Sequence, residues 1–216
     1  AQEPLSAAAI VDKFMRANEE RDRLLAGYQV ERVYSLRNEL SEKEAVMQTE
    51  VTFGSPAELQ VETCSRKGSG FIISRVFGRI TKAEQEAVQP EQRARSALTP
   101  DNYDFALEGR DRLHGRTAFV LTVSPKREDK YLFKGRIWID AHDFALMQAE
   151  GTVPKRPSFW VRKIKFRRLF RKVGPFWLPH KTEGEAEVLL YGTTWVTITN
   201  SDYRVRLHDG TQAVSR

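Results

Sequence analysis

Apolar residues near the start of the chain recur at the spacing of one helical face, while the opposite face is charged. Within residues 5–26 they form a single stripe: Ile10, Phe14, Ala17, Leu24 and Leu25. Ser6 is a suitable N-cap, and Gly27 is suited to end a helix in a left-handed conformation. The pattern predicts an amphipathic helix over residues 5–26 that packs one face against an apolar surface.

From Tyr28 onward apolar and polar positions alternate, which is the pattern of half-buried β-strands. A helical interruption, about residues 71–98, divides the alternation in two. Before it we predict strands at 28–39, 47–53 and 58–65. After it we predict strands at 104–108, 117–124, 130–140, 144–153, 161–173, 176–184, 185–191, 194–200 and 203–207. Short turns join most of them, which predicts an antiparallel meander.

A flat sheet of roughly a dozen strands would leave an apolar face in water. Several strands also carry large apolar residues on both parities, as Ile137 and Trp138 do, so both faces need cover. We therefore expect a mainly β protein with few helices (α+β). Its strongly curved antiparallel sheet would form an unclosed half-barrel with helices covering the concave side. One domain over residues 1–216 is the predicted organisation.

Helices that cover such a sheet without filling it would leave an apolar hollow. Each methylene group of an acyl chain transferred there from water contributes roughly 0.8 kcal/mol. A completely filled core is the alternative, and the sequence leaves both open. Candidate residues lining the hollow come from the first helix and the middle strands: Ile10, Phe14, Phe133, Ile137, Ile139, Ile164 and Phe166.

The net charge of +6 comes from one stretch of the chain. Ten basic residues and no acid lie between Gly151 and Thr182, while the other 25 basic residues face all 29 acids. Nine of these ten bases lie in residues 155–172, the basic segment. This segment could dock an acidic protein or an anionic membrane surface. The alternation of its bases with apolar residues favours the simpler interpretation of a solvated strand face. The candidate basic surface consists of Arg162, Lys163, Lys165, Arg167 and Arg168.

Motifs for catalysis or metal binding are missing from the sequence. The four histidines are scattered, and we expect no metal site, no cofactor and no nucleic-acid partner. Asp140 and Asp143 could be paired carboxylates, but an aspartate that opens a tight turn is the more ordinary interpretation. The lone Cys64 fits a buried or half-buried thiol better than a nucleophile. We therefore expect a protein that is not an enzyme.

Two features bear on the compartment. The first residue is Ala rather than Met, which fits an exported protein whose signal peptide has been removed. No apolar run approaches the roughly 18 residues needed to cross a bilayer as a helix. We expect a soluble periplasmic protein.

Several motifs, taken in order along the chain, resemble the LolA/LolB-like superfamily of periplasmic lipoprotein carriers. The first is a strand–turn–strand motif, Gly135-Arg136-Ile137-Trp138-Ile139-Asp140 followed by Phe144-Ala145-Leu146. Further motifs are similar to proteins grouped as outer membrane lipoprotein-sorting proteins: Pro157-Ser158-Phe159-Trp160, Gly174-Pro175-Phe176-Trp177-Leu178-Pro179 and Tyr191-Gly192-Thr193. The order of helix, strands, helical interruption and meander also resembles that of this superfamily and of the related lipid-sensing domain of RseB.

This resemblance implies an unclosed barrel with a helical lid, a precursor with a signal peptide, and an apolar cavity for acyl chains. Lipid acyl chains or a lipoprotein would be the ligand, and an RseB-like signalling module is the alternative. The carriers hold their closed lid with a buried arginine on an early strand. Arg32 and Arg37 both lie in a comparable region, and the sequence does not choose between them.

Overall fold

Eleven antiparallel strands form one sheet in the computed structural model, which describes residues 5–40, 44–54, 57–155, 161–190 and 192–215. The helical segments are α1 (Ala7–Leu24), α2 (Gly70–Ile72), a π-helical turn (Ile73–Phe77), α3 (Gly78–Ala87) and α4 (Pro90–Ser96). The strands are β1 (Leu25–Asn38), β2 (Glu44–Gly54), β3 (Glu58–Gly68), β4 (Tyr103–Leu113), β5 (Arg116–Pro125), β6 (Lys134–Asp140), β7 (Leu146–Thr152), β8 (Val161–Val173), β9 (Phe176–Val188), β10 (Gly192–Leu207) and β11 (Gln212–Ser215).

The strand order is β3-β2-β1-β10-β9-β8-β7-β6-β5-β4, and β11 adds to β10. Most neighbours follow each other along the chain, as a meander requires. The exception is β1, which pairs with β10, so that Arg32 lies opposite Asn200. Within the described residues β3 and β4 do not pair with each other, and the sheet stays open. The prediction of a mainly β, unclosed half-barrel is confirmed.

Helix α1 covers one end of the concave, inner face, over β4–β7. The Ser6 hydroxyl accepts a hydrogen bond from the Ala9 amide at 3.2 Å, so the predicted N-cap is confirmed. Ile10, Val11 and Phe14 are buried against inner-face residues of β4–β7. The helix ends before Gly27, which lies in β1; a Cβ there would come within 2.3 Å of the Phe53 carbonyl oxygen. Gly27 therefore serves close strand packing rather than helix termination.

The predicted helical interruption is confirmed and covers the opposite end of the inner face, over β1 and β2. Segment 70–87 is continuously helical through α2, the π-helical turn and α3. Ile73 and Phe77 are buried against Tyr34 and Met47 of β1 and β2. No helix in the described part of the chain is long and apolar enough to cross a membrane.

The outer face also carries buried apolar residues, as the sequence predicts. Trp138 and Trp177 lie there with residues of β5 and β7. The guanidinium groups of Arg136 and Arg116 lie 5.2 and 5.7 Å from their ring centroids. Basic side chains thus cover what would otherwise be exposed indole rings.

Turn predictions hold better than strand boundaries. His114 and Gly115 both have positive φ, as a tight hairpin turn needs. The strand predicted at 130–140 begins only at Lys134, because the Asp129 carboxylate accepts a hydrogen bond from the Tyr131 amide and holds a turn. The two strands predicted at 176–184 and 185–191 are one strand, β9, which ends at Val188. The two predicted at 194–200 and 203–207 are also one strand, β10. The Pro157–Trp160 motif and Tyr191 lie outside the described residues.

The backbones of two neighbouring strands approach closely where two glycines meet. Gly135 of β6 pairs with Gly151 of β7. A Cβ on Gly135 would lie 1.9 Å from the Glu150 carbonyl oxygen, and one on Gly151 would lie 2.3 Å from the Lys134 carbonyl oxygen. Backbone contact of this kind leaves no room for a side chain.

We predict that Gly135→Ala lowers the free energy of unfolding by about 2 kcal/mol or more, because the sheet must shift to admit the methyl group. Gly78→Ala is the control, since its Cβ would meet no atom within 4 Å. That variant should be neutral or stabilising by about 0.5–1 kcal/mol. Urea unfolding measures both, and equal stabilities would contradict the close approach.

Candidate functional site

The middle of the inner face is only partly covered by the two helix clusters. Strands β8, β9 and the first half of β10 lie between the strands packed under α1 and those packed under the π-helical turn and α3. Six of their inner-face residues are apolar or small, and these six are only half-buried: Ile164, Phe166, Gly184, Ala186, Val196 and Ile198. We call this region the central hollow.

The structure divides the candidate lining residues into two groups. Ile10, Phe14, Ile137 and Ile139 are at most 3% exposed and belong to the core beneath α1. They form a filled core because α1 lies directly on β5–β7. Phe133, Ile164 and Phe166 are half-buried and border the central hollow.

Phe133 stands on a loop rather than on the predicted strand. Its amide donates a hydrogen bond to the Tyr103 hydroxyl at 3.3 Å, and its ring meets that of Phe166 edge-to-face, with centroids 5.0 Å apart. Burial raises the pKa of Tyr103 to about 12, so the hydroxyl stays neutral. These contacts form the α1-side wall of the central hollow.

A second apolar space, the α1 groove, runs along the first helix. Its volume is about 630 Å³, and it is bordered by Phe14, Leu98, Phe176 and Trp177. An ion pair between Asp22 of α1 and Arg93 of α4 joins the two helices beside it. Phe14 thus borders a groove, although a different one from the central hollow.

Arg32 is the buried arginine of the early strands. It is 6% exposed, and its guanidinium lies 3.0 Å from the Glu84 carboxylate of α3. Its Nε donates to the Asn200 side-chain oxygen at 2.7 Å, and the Tyr34 hydroxyl donates to Glu84 at 2.9 Å. Burial alone would lower the pKa of Arg32, but the Glu84 charge and Tyr34 outweigh it and raise that pKa.

Arg37 lies on the opposite, outer face, where it is exposed and sits 4.6 Å from the Trp195 ring centroid. Of the two candidates, only Arg32 contacts a helix.

Helix α3 is anchored at a second point. The Tyr131 hydroxyl donates to the Glu86 carboxylate at 2.7 Å, and Lys130 lies 3.3 Å from the same group. Glu84 and Glu86 thus tie α3 both to β1 and to the loop before β6. The sequence shows α3 only as a polar helix, because the partner of Glu84 lies 52 residues away.

The five residues of the candidate basic surface lie on two faces. Lys165 and Arg167 point outward and are paired with Glu185 at 3.0 Å and Glu150 at 3.4 Å. Arg168 pairs with Ala149, a residue of the core beneath α1, and therefore faces inward. The outer bases thus alternate with acids of β7 and β9, which removes much of the surplus charge.

The remaining two residues, Arg162 and Lys163, lie at the start of β8 and are exposed. Lys163 pairs with Glu187 across the strands, and the register shifts between Val161 and Lys163. Residues 156–160 of the basic segment lie outside the described part of the chain.

Asp140 and Asp143 come together but serve as structural anchors. The Asp140 carboxylate accepts hydrogen bonds from the His142 and Asp143 amides at 2.9 and 2.7 Å, as the turn interpretation predicts. Arg116 bridges both acids at 2.5 and 3.1 Å. Burial would raise the pKa of Asp143, but hydrogen bonds from Lys172 and Trp177 lower it well below its usual value.

Other reactive groups are not gathered into a site. His142 is exposed beside Asp143, whereas His180 contacts the Asn200 carbonyl. Across the described ranges, no three His, Cys, Asp or Glu side chains are placed to hold a metal ion. Cys64 is exposed, contrary to the expected half-buried thiol, because it lies on the edge strand β3 at a register shift.

Comparison with known proteins gives one family. The model of a family of unknown function (DUF5686) matches residues 29–204. No curated protein sequence matches the chain.

Several solved structures are similar to the chain at low sequence identity. A DUF1329 family protein from Desulfovibrio piger ATCC 29098 is 14% identical over 94% of each chain, with a TM-score of 0.51. A LolA superfamily protein from Nitrosomonas europaea is 15% identical over 94% of each chain, with a TM-score of 0.43. A domain named for outer membrane lipoprotein sorting, from Vibrio parahaemolyticus, is 14% identical over 92% of each chain, with a TM-score of 0.47. The likeness to the DUF1329 family protein is one of fold alone, and the unclosed half-barrel that the LolA/LolB-like resemblance implies is confirmed.

The turn anchors predict acid sensitivity. The folded-state pKa of Asp143 is lowered, so its stabilisation is present above the unfolded-state pKa of about 4 and is lost as the pH falls further. We expect Asp143→Asn to lower the free energy of unfolding by roughly 1.5–3 kcal/mol at pH 7. The difference from wild type should shrink between about pH 5 and pH 2.

Urea unfolding over this pH range is the measurement, and the exposed Asp101→Asn is the control. A difference that is independent of pH would argue against a charged anchor.

Proposed function

The chain belongs to the family of unknown function DUF5686, and we propose that it is a non-enzymatic periplasmic protein that binds acyl chains of a lipid or lipoprotein. The observation that supports this function is the central hollow. Ile164, Phe166, Val196 and Ile198 are apolar, face the side that both helix clusters cover, and are only half-buried. An acyl chain laid along them would complete their burial.

Helix α3 is the lid in this proposal, and Arg32 is the residue that holds it. The Arg32–Glu84 pair joins the floor of the sheet to a helix that has no fully buried residue of its own. A helix held mainly by polar contacts rather than by a deep core can leave once those contacts are broken. The lid would therefore open without disturbing the sheet.

Native mass spectrometry of the protein purified from a periplasm, followed by denaturing lipid extraction, tests the function. Co-purified acylated material, or uptake of added fatty acid by stripped protein, supports it. Stripped protein that takes up no fatty acid, lipid or acylated peptide would overturn it.

The position of the ligand is tested by filling the hollow. Ala186 pairs with Ile164 on the inner face, and Glu187 is its exposed neighbour on the outer face. We expect Ala186→Trp to reduce fatty-acid uptake at least tenfold by occupying the space, while Glu187→Trp leaves uptake unchanged. Fluorescent fatty-acid titration is the measurement, and unchanged uptake by Ala186→Trp would move the site to the α1 groove.

The lid prediction concerns the Arg32–Glu84 pair. Glu84→Gln keeps the shape of the side chain but removes the charge that compensates buried Arg32, at a cost of about 1.5–3 kcal/mol. We expect faster amide hydrogen exchange in α3 with little change in β5 and β6. Glu91→Gln on exposed α4 is the control. Uniformly faster exchange across the sheet would mean that the pair supports the whole fold and not a lid.

A further inference from the structure

Two arginines of β8 share the inner face of the sheet. Arg168 pairs with Ala149 and Arg171 pairs with Leu178, and both partners belong to inner-face cores. Residues three apart normally face opposite sides of a strand. The register shift between Leu169 and Phe170 brings both side chains to the same side.

Arg171 has buried donors without an acceptor. Its Nε and Nη2 atoms are shielded from solvent and have no hydrogen-bond partner among the described residues, while its guanidinium carbon lies 5.8 Å from the Tyr203 ring centroid. Buried guanidinium donors are almost always hydrogen-bonded, and an exception calls for an explanation. A bound group with oxygen acceptors would satisfy these donors.

Arg168 has no hydrogen bond or ion pair with any described residue, and its side chain is accessible to solvent. Surrounding protein nevertheless lowers its pKa by desolvation. Both properties fit a cation inside an open hollow rather than on a convex surface. Its charge also acts on Tyr28, whose ring lies 5.4 Å from that of Tyr203. Arg171 therefore lies beside Tyr203, and the charge of Arg168 acts on Tyr28, the aromatic neighbour of Tyr203.

Glu84 is the acid whose charge acts on Arg168, and it is already engaged. Glu84 is bound by Arg32 and Tyr34, so it offers Arg168 an attraction through space but no direct contact. The charges of Arg168 and Arg171 are therefore left without a bound anion among the described residues. Phe166, two residues from Arg168 on the same face, places apolar lining beside this positive site.

We propose that Arg168 and Arg171 bind the oxyanion headgroup of an amphiphile, a carboxylate or a phosphate, whose acyl chain lies in the central hollow. The inference rests on the proposed function and narrows its ligand to anionic amphiphiles. Guanidinium groups match such oxyanions with two parallel hydrogen bonds. A neutral lipid of equal chain length would leave the Arg171 donors unpaired.

Titration of the stripped full chain with hexadecanoate, hexadecyl phosphate and hexadecanol tests the proposal. We expect at least one of the two anions to bind about tenfold more tightly than the alcohol. Arg168→Gln should remove that preference and leave hexadecanol binding unchanged. Arg167→Gln, the adjacent outer-face residue, is the matched control and should change neither value.

Arg171→Met gives an independent readout. Removing buried donors that lack acceptors should maintain or raise the Tm of the ligand-free protein, while anion affinity falls about tenfold. A lower Tm with unchanged anion affinity would assign Arg171 to the core and overturn its role in binding.

The outcomes separate the two proposals. If the anions and the alcohol bind equally, or if Arg168→Gln keeps the preference, the headgroup site is overturned and the acyl-binding function stands. If none of the three amphiphiles binds, the acyl-binding function is overturned. A titration with inorganic phosphate then tests the anion site on its own. Phosphate-induced NMR shifts that are lost in Arg168→Gln would retain an anion site, and their absence would overturn both.

Discussion

A guanidinium group buried inside a sheet must be given a counter-charge, and this requirement fixes much of the architecture around Arg32. Asn200 supplies one acceptor from β10, and Glu84 supplies the charge from α3. The first strand, a late strand and the interrupting helix therefore meet at a single side chain. Replacing such a partner is costly because an uncompensated buried charge remains. Helix α3 thus has a defined position, although it buries few apolar residues of its own.

The open sheet determines where a ligand can be held. Two helical covers lie over the two ends of the strand order, each on its own core, and the strands between them keep half-buried apolar side chains. A closed barrel would have filled or sealed this region. Here Gly184, which has no side chain, and Ala186 leave space above the sheet, and Phe133 and Phe166 form one wall. Binding capacity follows from incomplete cover rather than from a dedicated motif.

The sequence predicted features that depend on local chemistry. Alternation identified the meander, Ser6 identified the start of α1, and Asp140 identified its turn. It did not separate core from hollow, because Ile137 and Phe166 show the same period-two pattern, and only the path of α1 distinguishes them. Nor did it bring Arg171 to the same face as Arg168, or pair Arg32 with Glu84, since these depend on a register shift and on contacts between distant segments. A single domain remains a prediction.

The pairing of β1 with β10 has a consequence for how the molecule forms. Arg32 and Asn200 are separated by 168 residues, whereas the other strand pairs are mostly local. During synthesis, β1–β3 and their helix are complete long before the strand that must lie beside β1 exists. Closing so large a loop is entropically slow, and the waiting edge of β1 is open to other strands. Protection of the nascent edge, by a chaperone or by delaying collapse, is therefore a need built into this strand order.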